Sequence, residues 1–153
     1  MEKFFPSRSA FITLIACCLV VIIALGIRQT FGLFYFDFST DLDITISQFG
    51  FAMGLQLFLW GAFSPLFGII TDKYGGNIAI FLGFLFFLLG VLLFYSGFNT
   101  GVYFIYTIGV LIGVGLGSTA IGIPVSVVAK HFPASKRTIA TGIVTCAGSF
   151  GYF

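Results

Sequence analysis

Few residues in this chain could do chemistry, and the most telling is Arg28. It stands in "ALGIRQTFGLF" (24–34), near the end of an uncharged apolar run that opens at Ser9. A guanidinium is a planar fork of N–H donors that matches a carboxylate, and it stays charged at physiological pH. Inside an apolar span such a charge costs roughly 2.5–3.5 kcal/mol on insertion scales, so it faces a bundle interior or a wet cavity. Its one-turn neighbours, Ala24 and Gly32, are small and leave room beside it. Three readings stay open: a grip on a substrate anion, an ion pair with an acid in a part of the protein beyond this chain, and snorkelling to the interface. About 12 Å of helix separates Arg28 from Phe36, a long way to snorkel.

Other chemistries lack their parts. The single histidine, His131, stands beside Lys130, and there is no HExxH, GxSxG, CxxC or phosphate-binding loop. A hydrolase needs a nucleophile with a base or a set of metal ligands, so no enzyme, metal or cofactor is expected. Cys17, Cys18 and Cys146 fall in apolar runs, where a thiol packs as a small apolar group. Dispersed basic residues make no patch for nucleic acid. Asp37, Asp41 and Asp43 read as a solvated turn leading to a helix N-cap at Thr45 or Ser47, in preference to an ion site.

The elements that must position Arg28 are membrane helices. The chain is 59% hydrophobic, 19% aromatic and 8% charged, with a mean hydropathy of +1.14, outside the range of a water-soluble domain. A spanning helix needs roughly 20 apolar residues, and the uncharged windows predict spans at about 10–35, 47–71, 77–97 and 102–129. The break in the longest window falls at "GFNTG" (97–101), a turn composition. A fifth span, 138–153, holds about 16 residues and reads as truncated. The first run is too long for a signal peptide and no small-x-small site closes it.

Lys3 and Arg8 precede the first span, Lys73 follows the second, and Lys130, Lys136 and Arg137 follow the fourth; the other two connections contain no Lys or Arg. By the positive-inside rule the N-terminus, "TDKYGGN" and "KHFPASKR" are cytoplasmic. Small residues recur at steps of four: Gly109, Gly113 and Gly117, then Ser118, Gly122 and Ser126, Gly50 and Gly54, and Thr141, Thr145 and Ser149. That spacing lets backbones approach in lipid. Pro65 and Pro124 add kink points.

One loop is more specific. "GIITDKYGG" has Gly68, Asp72, Lys73 and Gly75 in the spacing G-x-x-x-D-[RK]-x-G. Gly68 would let the helix end approach a neighbour, Gly75 would supply a turn with positive φ, and Asp72 could meet a helix N-terminus or a base such as Lys130. The motif, between the second and third spans, resembles the signature loop of the major facilitator superfamily of secondary transporters. "GIRQTFGLF", "ISQFGFAMGLQLFLWGAFSPLFG" and "VAKHFPASKRTIATGI" are similar to its monocarboxylate-transporter-like branch, so the resemblance runs through essentially the whole chain. A pair of basic residues usually follows the motif, where this chain has Gly76 and Asn77.

The resemblance implies an all-α transmembrane fold, the N-terminal part of a twelve-helix bundle with four complete spans plus a truncated fifth. It implies secondary transport of a small organic anion, alone or with a proton, through a multi-pass protein of the cell membrane. The implied partners are the lipid bilayer, the anion and a C-terminal half not contained in these residues. Arg28 would hold the carboxylate, with Gln29 and Gln56 adding hydrogen bonds and Trp60, one turn from Gln56, lining the cavity or packing. Asp72 would latch the cytoplasmic side in one of the alternating states, with Gly68, Lys73 and Gly75 shaping the loop. Two rivals remain: a proton-coupled drug or metabolite exporter of the same superfamily, and a membrane assembly protein that transports nothing.

Orientation is directly testable. In a background without the native cysteines, Thr100→Cys should react with an impermeant thiol reagent from outside intact cells, and Lys73→Cys only after permeabilisation. The opposite pattern would invert the topology.

Overall fold

In the computed structural model, residues 7–41, 43–96 and 100–153 are described; Lys3 and the turn centre expected at 97–99 lie outside them. The chain runs through α1 (Arg8–Leu33), α2 (Tyr35–Asp41), α3 (Ile46–Tyr74) and α4 (Gly76–Tyr95). A composite fourth span, Gly101–His131, then joins α5 (Gly101–Phe104), a π-helical segment (Ile105–Leu111), α6 (Ile112–Thr119) and α7 (Gly122–His131), and α8 (Ala134–Phe150) follows. No strand occurs among the described residues. Four helical stretches, α1, α3, α4 and Gly101–His131, are long and apolar enough to cross a membrane. Their outward surface carries side chains such as Ile12, Leu19, Ile23, Phe58, Phe81 and Leu92, which suits helices whose solvent is lipid.

Local chemistry sets the helix starts and stops. Ser7 caps α1 through Oγ, which accepts from Ala10 N at 3.1 Å. Thr45, one of the two expected caps, forms a capping box with Gln48: Gln48 N donates to Thr45 Oγ1 and Thr45 N donates to Gln48 Oε1. Gly75 ends α3 at φ 94°, a backbone that L side chains rarely adopt, and its N–H donates to Thr71 O. The acidic connection is not the simple turn expected: Asp37 and Asp41 lie within α2, and Asp43 adopts φ 51° just before the Thr45 cap. Pro124 stands in the first turn of α7 rather than inside a continuous helix. A proline there gives up no needed N–H and offers no bond to the preceding turn, and the fourth span breaks at Ala120 (ψ −158°).

The fourth span is the axis of the bundle, packed against α3 on one side and α4 on another, with α1 on α7 and α8 on α1. Gly109, Gly113 and Gly117 face α3: a Cβ on Gly113 would lie 2.9 Å from Gln56 Cα, and one on Gly117 3.0 Å from Phe63 Cβ. Gly115 faces α4, where a Cβ would stand 2.8 Å from Gly83 O and 2.9 Å from Phe87 N. Beside it Ser118 Oγ donates to Ala79 O at 2.5 Å. The remaining stripes behave differently. At Gly50, Gly54 and Gly122 an added Cβ would meet nothing within 4 Å. Thr141 and Thr145 turn their hydroxyls back onto carbonyls of α8, and α8 packs through Gly148 against Val21 and Leu25.

Each end of the bundle has its own closure. At one, Phe38, Phe94 and Phe104 meet with centroids 5.6–5.9 Å apart, and Phe49 stacks on Phe104 at 5.8 Å, joining α2, α3, α4 and α5 by aromatic contact. At the other lie the end of α3, the start of α4 and the end of α7, with Val127 packed onto Gly76.

The glycine contacts make a sharp comparison. Gly115→Ala should destabilise the bundle by about 1–3 kcal/mol, because backbone rather than a flexible side chain must move; Gly54→Ala, with open space around it, should not. Reversible unfolding in detergent checks this, and equal stability of the two variants would refute the packing described.

Candidate functional site

Arg28 lies on α1 five residues before its end, and its side chain leans toward the helix N-terminus as helical side chains do. The guanidinium Cζ sits 5.7 Å from the ring centroid of Trp60, and Trp60 is midway along the 29-residue α3, about 21 Å from either end. The cation is therefore directed inward, opposite to the course of a snorkelling arginine. Arg28 is half-buried, its Nε is shut off from solvent without a hydrogen-bond partner, and no carboxylate among the described residues pairs with it. An attractive ring face supports the charge, while Nε has no acceptor among the described residues.

Gln56 is wholly buried one turn before Trp60, and the π-helical segment explains its partner. Ile112 N–H donates to Thr107 O, one residue beyond its α-helical acceptor, Ile108 O. The carbonyl left over accepts from Gln56 Nε2 at 3.0 Å, so the side chain ties α3 to the irregular part of the fourth span. Gln56 Oε1 is buried without a partner. Gln29, one step round the helix from Arg28, is exposed. The fold thus brings Arg28 and Trp60 together, commits one end of Gln56 to the bundle, and leaves Gln29 exposed one residue from Arg28. Trp60 is the residue whose role sequence reasoning left undecided; an indole and a guanidinium alone in neighbouring spans was the available signal. The π-helical segment had none.

In the loop after α3, Lys130 Nζ at the end of α7 lies 3.0 Å from Asp72 Oδ1. Asp72 does not cap α4, whose N-cap is Gly75 without a side-chain hydrogen bond. Lys73, in the last turn of α3, is exposed where a cation suits the helix dipole. Gly75 has the positive φ expected of it. Gly68 lacks the close neighbour expected of it: a Cβ there would meet nothing within 4 Å among the described residues. The close approach is at Gly76 instead, whose Cβ position is already filled by Val127. His131 turns Nδ1 to Val127 O at 2.9 Å, a contact within its own helix.

The sequence profile of the Major Facilitator Superfamily matches residues 14–153. The chain belongs to the major facilitator superfamily. Members of the major facilitator superfamily are membrane transporters rather than enzymes. No solved structure matches the chain. No group of three or more His, Cys, Asp and Glu side chains that could hold a metal occurs among the described residues. A cavity of about 710 Å³ between α1 and α4 is lined mainly by apolar side chains such as Ile27, Phe84 and Phe87 and does not include Arg28.

The Asp72–Lys130 pair is open to water, the Lys130 and Asp72 side chains being 55% and 76% exposed. A double-mutant cycle with Asp72→Asn and Lys130→Gln should give a coupling of at most about 1 kcal/mol, shrinking as salt is added. A much larger, salt-insensitive coupling would mean a buried pair.

Proposed function

We propose that this superfamily member moves a small organic anion across the cell membrane by alternating access, in the manner of the monocarboxylate-type branch, with Arg28 as the residue that holds the carboxylate. The observation that carries this reading is the state of Arg28: a permanent cation held inward at the level of mid-α3, with Nε unpartnered and no acid paired with it among the described residues. A carboxylate supplies what is lacking, two acceptors in the plane of the fork. Gln29 and Gln56 are proposed as further polar groups that donate through their amide Nε2 atoms, Gln56 through the N–H that Ile108 O does not use.

The basic residues Arg8, Lys73, Lys130, Lys136 and Arg137 all belong to the Asp72 end of the bundle, which by the positive-inside rule supports a cytoplasmic assignment for that end. A transporter of this kind has pseudo-symmetric halves that rock about a central cavity. In this reading the Asp72–Lys130 pair is a cytoplasmic latch, and its exposure suits one that must open in every cycle, since a weak bond shifts the balance of states without locking it.

The test is anion uptake by the complete transporter, normalised to folded protein. Arg28→Lys keeps the charge but loses the fork, so affinity should fall while protein level holds. Arg28→Ala should abolish uptake and still insert. Were Arg28 instead the partner of a buried acid elsewhere, Ala would strand that acid at about 3–5 kcal/mol and the protein level itself would collapse. Wild-type uptake by Arg28→Ala would end the binding role.

A further inference from the structure

We propose that Trp60 is the positioning residue for Arg28: the indole face holds the guanidinium while the site is empty, and the hold changes when an anion arrives, so that Trp60 reports occupancy. The proposal rests on the anion-binding reading of Arg28 and adds to it the group that orients the cation.

Three observations support it. First, the Trp60 ring, 5.7 Å from Cζ, is the contact the structure gives the guanidinium; Arg28 makes no hydrogen bond or ion pair with any described residue. Second, a ring face attracts a cation without using its donors. A hydrogen-bonding partner would occupy the edge of the fork, whereas an aromatic face leaves the N–H groups free for an incoming carboxylate. Third, Trp60 is itself well placed. Its carbonyl accepts from Ser64 Oγ at 2.8 Å, and the same hydroxyl reaches Gly117 O at 3.3 Å, which ties this turn of α3 to the fourth span. The indole packs half-buried against the apolar core. Since α1 and α3 each pack on the fourth span rather than along one another, the arginine and the indole meet across the space between two helices. Holding the cation there before the anion arrives removes part of the ordering cost of binding.

Trp60 is the one tryptophan in these 153 residues, which gives the role a spectroscopic signature. In the complete transporter, the emission difference between wild type and Trp60→Phe isolates Trp60 from any other indole. Formate, pyruvate and benzoate at constant ionic strength serve as probe anions. At least one of them should change the Trp60 emission saturably, at the concentrations that saturate uptake, and Arg28→Gln should remove the change. Trp60→Leu should raise KM for uptake roughly five- to ten-fold with kcat within about two-fold, and Trp60→Phe, which keeps a ring face, should recover most of the loss.

If Trp60→Leu transports with wild-type KM, or loses kcat alone, and Trp60 emission ignores an anion that is taken up, the positioning role is overturned while the reading of Arg28 stands. Should none of the three anions be taken up or perturb Trp60, the anion reading fails and this proposal with it. Where Trp60→Leu does not fold, the emission titration and the Trp60→Phe kinetics decide between the same outcomes.

Discussion

Where lipid surrounds a helix, hiding apolar side chains against another helix gains little, so the bundle depends on how closely backbones approach. Here that approach concentrates on one element, the fourth span. Glycines on one of its faces admit α3 and glycine with serine on another admit α4, at separations where a single Cβ would collide with backbone atoms. The cost of a polar backbone so tightly enclosed is met locally: Ser118 binds a carbonyl of α4, and Gln56 of α3 binds the carbonyl that the π-helical segment leaves over. Dispersion at short range and a few buried hydrogen bonds therefore perform the task that water expulsion performs in a soluble protein.

Against that apolar frame Arg28 is a deliberate expense. Its position draws on features otherwise unrelated: the N-terminal lean of helical side chains, the length of α3 that brings Trp60 to mid-depth, and Ser64, which ties that turn to the fourth span. The Asp72–Lys130 pair works under the opposite condition, in water, where charge is cheap to expose and weak to pair. Arg28 is half-buried against an aromatic ring, whereas the Asp72–Lys130 pair stands in water and is free to open.

Much of this was legible in the sequence because membrane helices have a coarse code. Uncharged windows matched the four long apolar helices, with ends displaced by a few residues; Gly75 has its positive φ, Thr45 is the cap of the two offered, and Lys130 is the partner of Asp72 where a helix N-terminus had been equally open. What was not legible has a common physical reason. Small residues at steps of four say that a backbone could come close, not that one does: Gly109, Gly113 and Gly117 have their neighbour, while Gly50, Gly54 and Gly68 have none among the described residues. The helical state of 35–41 was hidden by polar residues that also suit a turn, and the fork of Arg28 gave no hint that its nearest companion would be an indole. Nor does any residue type signal a switch from i→i+4 to i→i+5 pairing, which is settled by contacts with neighbouring helices.

That switch has a geometric consequence. A π turn amounts to one residue inserted into a helix, and it rotates all that follows by about 100° relative to an uninterrupted α-helix. The fourth span therefore has two segments out of phase, one beginning among the aromatic rings of Phe94 and Phe104, the other running down to Lys130. Drawing the π turn back into α-helical pairing would return Ile112 N–H to Ile108 O, displace the Gln56 amide, and turn Gly113, Gly115 and Gly117 together away from the helices they now touch. The phase of one helix and the hydrogen bond of one glutamine are thus a single mechanical variable.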